Sequence, residues 1–445
     1  MPNKPPAPLD LGAIHGDDRY VPTSGNGGYE VSHYSLDLDY RVANNRLAGT
    51  ATITATATKD LARFSLDFAG LVTNRVSVNG TAAKKVVETQ RKLTITPAAG
   101  IPAGTVFTVV IRYAGAPAPV KSPWGVLGWE ELEDGVIVAS QPCGAMTFYP
   151  CNDAPGDKAT YSFQITAEST HHVLANGRLI SRVPRASRTT WTYETDEPVA
   201  SYLVSIQIGR YREVALSRDP VPQFALIPPD LTSNALRDFA DQSLMLSLFE
   251  RSFGPYPFAQ YTVVVTDDDL EIPLEAHGFS TFGRNHIDGQ GGSERLIAHE
   301  LAHSWFGNSL TIASWKDIWL HEGFACYAEW LWSEESGGPT AKASAKQYWR
   351  QLNALDQDLV LGDPGPELMF DDRVYKRGAI FLDVLRRELG DDRFFAVLRS
   401  WVAENRFGNV TTAGFQAAAQ AHSMRPLDAL FDSWLFSARL PKLPV

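Results

Sequence analysis

Cysteine is scarce in this chain. Cys143, Cys151 and Cys326 are the only three in 445 residues, too few and too scattered for the disulfide framework that staples small secreted domains. No stretch approaches the ~18–20 uninterrupted apolar residues of a membrane-spanning helix. The first thirty residues carry neither a basic start nor an apolar run, so a cleaved secretory signal is not expected. Positive charge is also short: 40 Lys and Arg stand against 51 Asp and Glu, a net charge of −11. Nucleic acid and anionic membranes reward clustered Lys and Arg, so neither is expected as a partner. These absences together lead us to expect a soluble, reduced, cytoplasmic monomer. At 44% hydrophobic and 20% charged, the composition is that of a globular protein with ample core. The length calls for two or three domains at ~100–200 residues each.

Residues 1–27 are rich in Pro, Gly and Asp and are expected to form a poorly ordered arm. From His33 the apolar period is two: Tyr34, Leu36, Leu38 and Tyr40 alternate with Ser35, Asp37 and Asp39, a strand with one wet face. Val76-Ser77-Val78 runs into Asn79-Gly80, a strong two-residue hairpin signal. Similar short strands recur to Ile208, so residues 28–215 are expected to form an antiparallel, β-rich domain. Pro220, Pro222, Pro228 and Pro229 then mark a change of regime. Residues 216–445 read as mostly helical, with one strand near Tyr261–Thr266. Helices are predicted near Ser233–Ser252, Glu294–Phe306, Trp315–Glu335, Thr340–Leu355 and Arg373–Leu389, with three more before the end. The fold class is α+β, and no internal repeat is present.

The informative segment is Arg295-Leu-Ile-Ala-His299-Glu300-Leu-Ala-His303-Ser-Trp-Phe306, which places H-E-x-x-H on a predicted helix. Residues four apart lie ~40° apart around the axis, so His299 and His303 project from one face and can share one Zn²⁺. Glu300 is turned ~100° from the first ligand; it can reach water at the metal without ligating, which suits a general base. Glu322, in Trp319-Leu-His-Glu322-Gly-Phe-Ala on the next predicted helix, is the candidate third ligand, with eighteen residues between it and His303. The motif arises by chance in roughly one chain in a hundred of this length, and a Glu at a fixed further offset lowers that about tenfold. Ala298, Leu301, Ala302 and Phe306 surround the histidines with apolar residues, so the helix is expected to be buried, where an unpaired Glu or His is costly.

These residues resemble the zinc aminopeptidase family of aminopeptidase N and leukotriene hydrolase, the gluzincin aminopeptidases. The likeness runs through His299-Glu-Leu-Ala-His303-Ser-Trp-Phe-Gly-Asn308 and Asp317-Ile-Trp-Leu-His-Glu322-Gly-Phe-Ala, with the family's own gap between them. It extends to Phe148-Tyr-Pro-Cys151-Asn-Asp153-Ala-Pro-Gly-Asp-Lys158, to Ala200-Ser-Tyr-Leu-Val-Ser-Ile-Gln-Ile-Gly209 and to Ser252-Phe-Gly-Pro-Tyr-Pro257, covering about residues 30–440. The resemblance implies a β-rich N-terminal domain, a thermolysin-like catalytic domain and removal of single residues from peptides with a free N-terminus. It implies one zinc per chain on His299, His303 and Glu322, with Glu300 as base. Glu275, in Ile272-Pro-Leu-Glu275-Ala276, matches the family's acid for the substrate amine. The family's Gly and Asn on either side of it are gone. Gln141 resembles a Gln that helps bind that amine or the first side chain, and Tyr375 matches the tyrosine that supports the oxyanion. Glu329 matches an acid that stands behind a ligand imidazole. His321 replaces an Asn, and Arg377 a Lys. Only about 55 residues follow Gly390, so a compact member is expected, without the family's covering helical domain.

Two rivals share the motif. A thermolysin-type endopeptidase uses the same metal chemistry, but an internal stretch of peptide brings no cation to Glu275. A catalytically inactive scaffold is expected to have lost ligands or base, and all are present here.

Overall fold

The protein is described by a computed structural model, which covers residues 12–13, 15–219 and 221–444. It divides into two compact units, Met1–Gly209 and Arg210–Val445.

In the N-terminal unit the alternating stretch from His33 belongs to the long strand Tyr29–Arg41, whose inward row Leu36, Leu38 and Tyr40 is at most 1% exposed. It pairs antiparallel with Arg46–Ala57 and parallel with Thr160–Glu168 inside an eight-stranded sheet. The domain is β-rich as expected, and the antiparallel expectation is corrected at this one parallel pair. A parallel neighbour needs a long crossover, and the hundred-odd residues between the two strands, which build much of two smaller sheets, supply it. The Asn79-Gly80 turn forms as predicted, with φ of 50° and 77°, values that Asn and Gly tolerate. Tyr34, Tyr149 and Tyr161 pack together in the core, with the rings of Tyr34 and Tyr161 stacked at 4.9 Å.

The expected N-terminal arm is also corrected. Residues 1–11 and 14 lie outside the described residues, but Tyr20, Val21, Ser24 and Asn26 are buried. Lys92 explains it: its buried ammonium pairs with Asp67 at 2.7 Å and donates to the Gly25 carbonyl at 2.7 Å. Asp67 in turn accepts from the backbone N–H of Gly25 and the side chain of Asn26. A Pro- and Gly-rich stretch becomes ordered when its backbone polar groups find buried partners.

The second unit begins with a five-stranded sheet in the order Arg212–Ser217, Gln223–Ile227, Tyr261–Val265, Phe279–Phe282, Leu274–Ala276. Leu274–Ala276 is therefore an edge strand. Among the described residues nine helices follow or interleave: α1 Thr232–Asp238, α2 Gln242–Phe253, α3 Glu294–Ala302, α4 Trp319–Glu335, α5 Ala341–Leu352, α6 Asp372–Leu389, α7 Asp391–Glu404, α8 Thr412–Ala421 and α9 Asp428–Leu435. The single helix predicted near Ser233–Ser252 is two, broken at 239–241. Asp238, the last residue of α1, accepts from the N–H groups of Gly289 at 2.8 Å and Gly291 at 2.9 Å, which anchors the loop leading into α3.

Helices α4 and α6 cross at two glycines. A β-carbon on Gly378 would stand 2.7 Å from the Gly323 α-carbon, and one on Gly323 would stand 2.9 Å from that of Gly378. Only glycine permits this backbone contact, and it sets Glu322 of α4 beside Tyr375 of α6. Gly378→Ala should force the helices apart at an overpacking cost of ~1–3 kcal/mol. The expected fall in Tm is roughly 2–12 °C, at ~2–4 °C per kcal/mol for a domain of this size. An unchanged melting curve would contradict the close crossing.

Candidate metal centre and active site

Helix α3 buries Ile297, Ala298, Leu301 and Ala302, and this apolar setting carries the two histidines into the interior. The helix ends at Ala302, four residues earlier than predicted, and His303 forms its cap in helical conformation. The projection expected from the four-residue spacing is kept. The Nε2 of His299 is 3.4 Å from Oε2 of Glu322, and the Nε2 of His303 is 3.5 Å from the same oxygen. The three ligand atoms lie within 4.8 Å of one another, and all three side chains are buried.

The outer nitrogen of each ring decides whether this cluster suits a metal. Nδ1 of His303 is 2.9 Å from the carbonyl of Phe306. Nδ1 of His299 is 2.7 Å from Oε1 of Glu329. Both oxygens can only accept, so each Nδ1 carries a hydrogen and each Nε2 is the nitrogen turned into the cluster, where a bound metal would take the place of its proton. Two imidazoles and one carboxylate form the donor set of a catalytic zinc site. The electrostatics agree. Burial works against a proton on His299, yet Glu322 and Glu329 raise its pKa to about 10. Burial pushes Glu322 up, but His303 and His299 overcome this and hold it below its ordinary value. The cluster stabilises positive charge, as a divalent cation requires.

Glu300 lies beside this cluster, 5% exposed, and its Oε2 has no hydrogen-bond partner among the described residues. Burial pushes its pKa up to about 7; His299 and His303 pull it down, while Glu275 and Glu322 add to the rise. Glu275 stands on the edge strand Leu274–Ala276, and its carboxylate, that of Glu300 and a ring nitrogen of His303 lie within 4.8 Å of one another. Burial raises the Glu275 pKa, His303 opposes and Glu322 adds to it. The strand is fixed to the zinc-helix loop by Asn308, whose side-chain amide donates to the Ala276 carbonyl at 2.8 Å. Tyr375 stacks its ring on that of His299, with centroids 6.0 Å apart and planes 22° apart. Burial, then Glu322, Glu275 and Glu300, push its hydroxyl well above the usual value, so it keeps its proton as a donor.

The remaining candidates separate cleanly. His321 is no ligand: its Nε2 accepts the backbone N–H of Ile312 at 3.0 Å. Arg377 is structural. Its guanidinium donates to the carbonyls of Trp434, Leu359, Ala438 and Ser437, joining α6 to the C-terminal segment. Ahead of the Glu275 strand, Asp267 is paired with Arg284. Gln141 is half-buried in the N-terminal unit, just after the strand Gly135–Ala139. Two contributors were not expected. Asn308 is inside the motif, but its contact crosses to a distant strand. Arg295 precedes His299 by four residues, a spacing that places both on one helix face.

Residues 238–434 match the peptidase family M1 domain, and residues 30–203 match the peptidase M1 N-terminal domain. Among curated relatives, endoplasmic reticulum aminopeptidase 1 of Homo sapiens is 25% identical over 85% of this chain, and the match spans 44% of the human protein. Leukotriene A-4 hydrolase of Xenopus laevis is 24% identical over 93% of this chain and 72% of its own length. The chain thus spans less than half of several relatives it matches. A mutant M1 zinc metallopeptidase of Deinococcus radiodurans, crystallised with a Tyr-Ser-Ala substrate, superposes with a TM-score of 0.87 at 28% identity, covering 96% of this chain and 99% of that one. Fold and donor cluster have the form of a two-domain M1 zinc metallopeptidase, β-rich then helical. The chain belongs to peptidase family M1.

Glu322→Ala removes the oxygen shared by both imidazoles. Metal analysis of that variant should show zinc content strongly reduced against the parent; full occupancy would remove Glu322 from the ligand set.

Proposed function

We propose that this chain is a zinc aminopeptidase that binds one Zn²⁺ through His299, His303 and Glu322 and hydrolyses the N-terminal residue from peptides with a free N-terminus. The observation that carries this reading is the place of Glu275, close to both Glu300 and His303. A half-buried carboxylate set against the Glu300 carboxylate favours a cation beside it, and a substrate ammonium is such a cation. One residue of extended chain spans ~3.3–3.6 Å. An amine held at Glu275 therefore leaves room for about a single residue before the carbonyl at the metal ligands. The aminopeptidase relatives and the tripeptide-bound neighbour support the same reading.

When bound, zinc supplies Lewis acidity, polarising a carbonyl and acidifying water. The chain's own groups do the rest. Glu300, with its unpartnered Oε2, takes a proton from the attacking water and returns it to the leaving amine. Tyr375 keeps its proton and donates to the carbonyl oxygen as negative charge develops there, a kind of contact worth ~3–4 kcal/mol. Glu275 holds the ammonium, which a thermolysin-type endopeptidase has no use for. For Gln141 the support is the family likeness of its stretch alone. No helix among the described residues is long and apolar enough to cross a membrane. The three free, buried cysteines support a reducing, cytoplasmic setting, and in this reading the protein works as a monomer with neither nucleic acid nor membrane as partner.

Glu275→Ala tests the amine anchor. Truncating one partner of a desolvated charge pair typically costs ~2–5 kcal/mol, so kcat/KM for free peptides should fall about 30-fold or more. Zinc content should not change. If the variant cleaves a dipeptide as well as the parent, or the parent cuts N-acetylated peptides readily, the endopeptidase reading gains.

A further inference from the structure

Behind His299 the chain of contacts does not stop at Glu329. Arg295 lies one turn ahead of His299 on α3, and its Nη1 is 3.0 Å from each oxygen of Glu329. The three side chains form a line from solvent to the donor cluster. Arg295 is 54% exposed, Glu329 is 2% exposed, and His299 stands at the metal ligands. One hydrogen bond from an imidazole fixes the position of a single carboxylate oxygen but leaves the carboxylate plane free to turn. A donor bridging both oxygens removes that freedom. The plane of Glu329 then fixes the direction of the Nδ1–Oε1 bond, and so the ring of His299.

The bland alternative is a helix-to-helix ion pair that only holds α3 against α4. That bears on folding and leaves the ligand's orientation open. Helices α3 and α4 also have a separate tie that does not touch Glu329: Trp332 donates its indole N–H to Glu294 at 2.7 Å. A second cation near Glu329 is Lys376 of α6, whose ammonium reaches the Cys326 sulfur at 3.5 Å and lies over the Tyr348 ring. Burial pushes the Glu329 pKa up, but His299, then Lys376 and Arg295, hold it below its ordinary value. Of the two cations, only Arg295 grips both carboxylate oxygens.

We infer that Arg295 is a positioning residue that sets how firmly the chain holds its metal, by clamping Glu329 and so aiming the His299 Nε2 into the donor cluster. This rests on the zinc reading above. Groups that orient a metal-ligating histidine typically carry ~10–100-fold in metal affinity. Arg295 acts one step further out, so the low end of that range is expected.

The test follows release of zinc from the loaded full-length protein into excess chelator, read by an indicator dye. Arg295→Ala should release zinc about tenfold faster. Arg295→Lys, which keeps the charge but replaces the Nη1 that bridges both oxygens with a shorter-reaching, freely rotating ammonium, should fall between that variant and the parent, and it carries the test if the alanine variant does not fold. Because Arg295 is half-exposed, added salt should hasten release from the parent more than from Arg295→Ala. Glu294→Gln, which weakens the Trp332 contact on the same pair of helices, should release zinc at the parent rate. Equal release from the parent and Arg295→Ala overturns the inference, and so does equal acceleration in Glu294→Gln, which would make it a matter of helix packing. A parent that takes up no zinc overturns the metal reading and this inference with it. A parent holding one zinc whose release ignores Arg295 overturns this inference alone.

Discussion

Four carboxylates, Glu275, Glu300, Glu322 and Glu329, gather around the two imidazoles of His299 and His303, and Glu300, Glu322 and Glu329 are no more than 5% exposed. Burying that much negative charge is unfavourable unless cations and donors balance it. Each of the four meets a different part of the requirement. Glu322 lies against both Nε2 atoms, and Glu329 accepts from His299 and from Arg295. Glu300 and Glu275 remain raised in pKa by burial. The first two prepare a place for a metal ion. In the proposed reading the last two handle a proton and an ammonium, which is what hydrolysis at a free N-terminus brings.

The scaffold serves this cluster through contacts that would otherwise have little purpose. The glycine crossing of α4 and α6 sets Glu322 and Tyr375 on facing backbones. Asn308 ties the edge strand of Glu275 to the loop that follows His303, and Asp238 holds the loop that launches α3. Thr412 links α8 to the start of α4, since its hydroxyl bonds Asp317 at 2.6 Å and accepts from the Trp319 indole at 2.9 Å. Each brace reaches the cluster through backbone or a buried side chain, so small errors in packing translate directly into ligand geometry.

Much of this was legible in the sequence. The four-residue spacing of His299 and His303, the apolar residues around them and the offset to Glu322 define a local pattern, and local patterns survive folding. The twofold period from Tyr34 to Tyr40 marked its strand for the same reason. What escaped depends on partners far apart in the chain. Glu329 is placed behind a ligand imidazole by family likeness alone, and its second partner, Arg295, shows only when the facing helix is seen. Whether His321 is a ligand is decided by the amide of Ile312, and the order of residues 15–27 by the ammonium of Lys92. The close approach of Gly323 and Gly378 is a property of two helices together, and neither glycine announces it alone. The parallel pairing of Tyr29–Arg41 with Thr160–Glu168 joins segments more than a hundred residues apart.

At the centre of the proposed function is a fixed distance between Glu275, as amine anchor, and the metal ligands, which in that reading limits cleavage to the first peptide bond. A time course on an unmodified peptide of about ten residues, followed by mass spectrometry, tests it most directly. The account predicts a ladder in which residues leave one at a time from the N-terminus, with each shorter peptide appearing only after its predecessor. Early appearance of paired internal fragments, before any single residue is released, would contradict it.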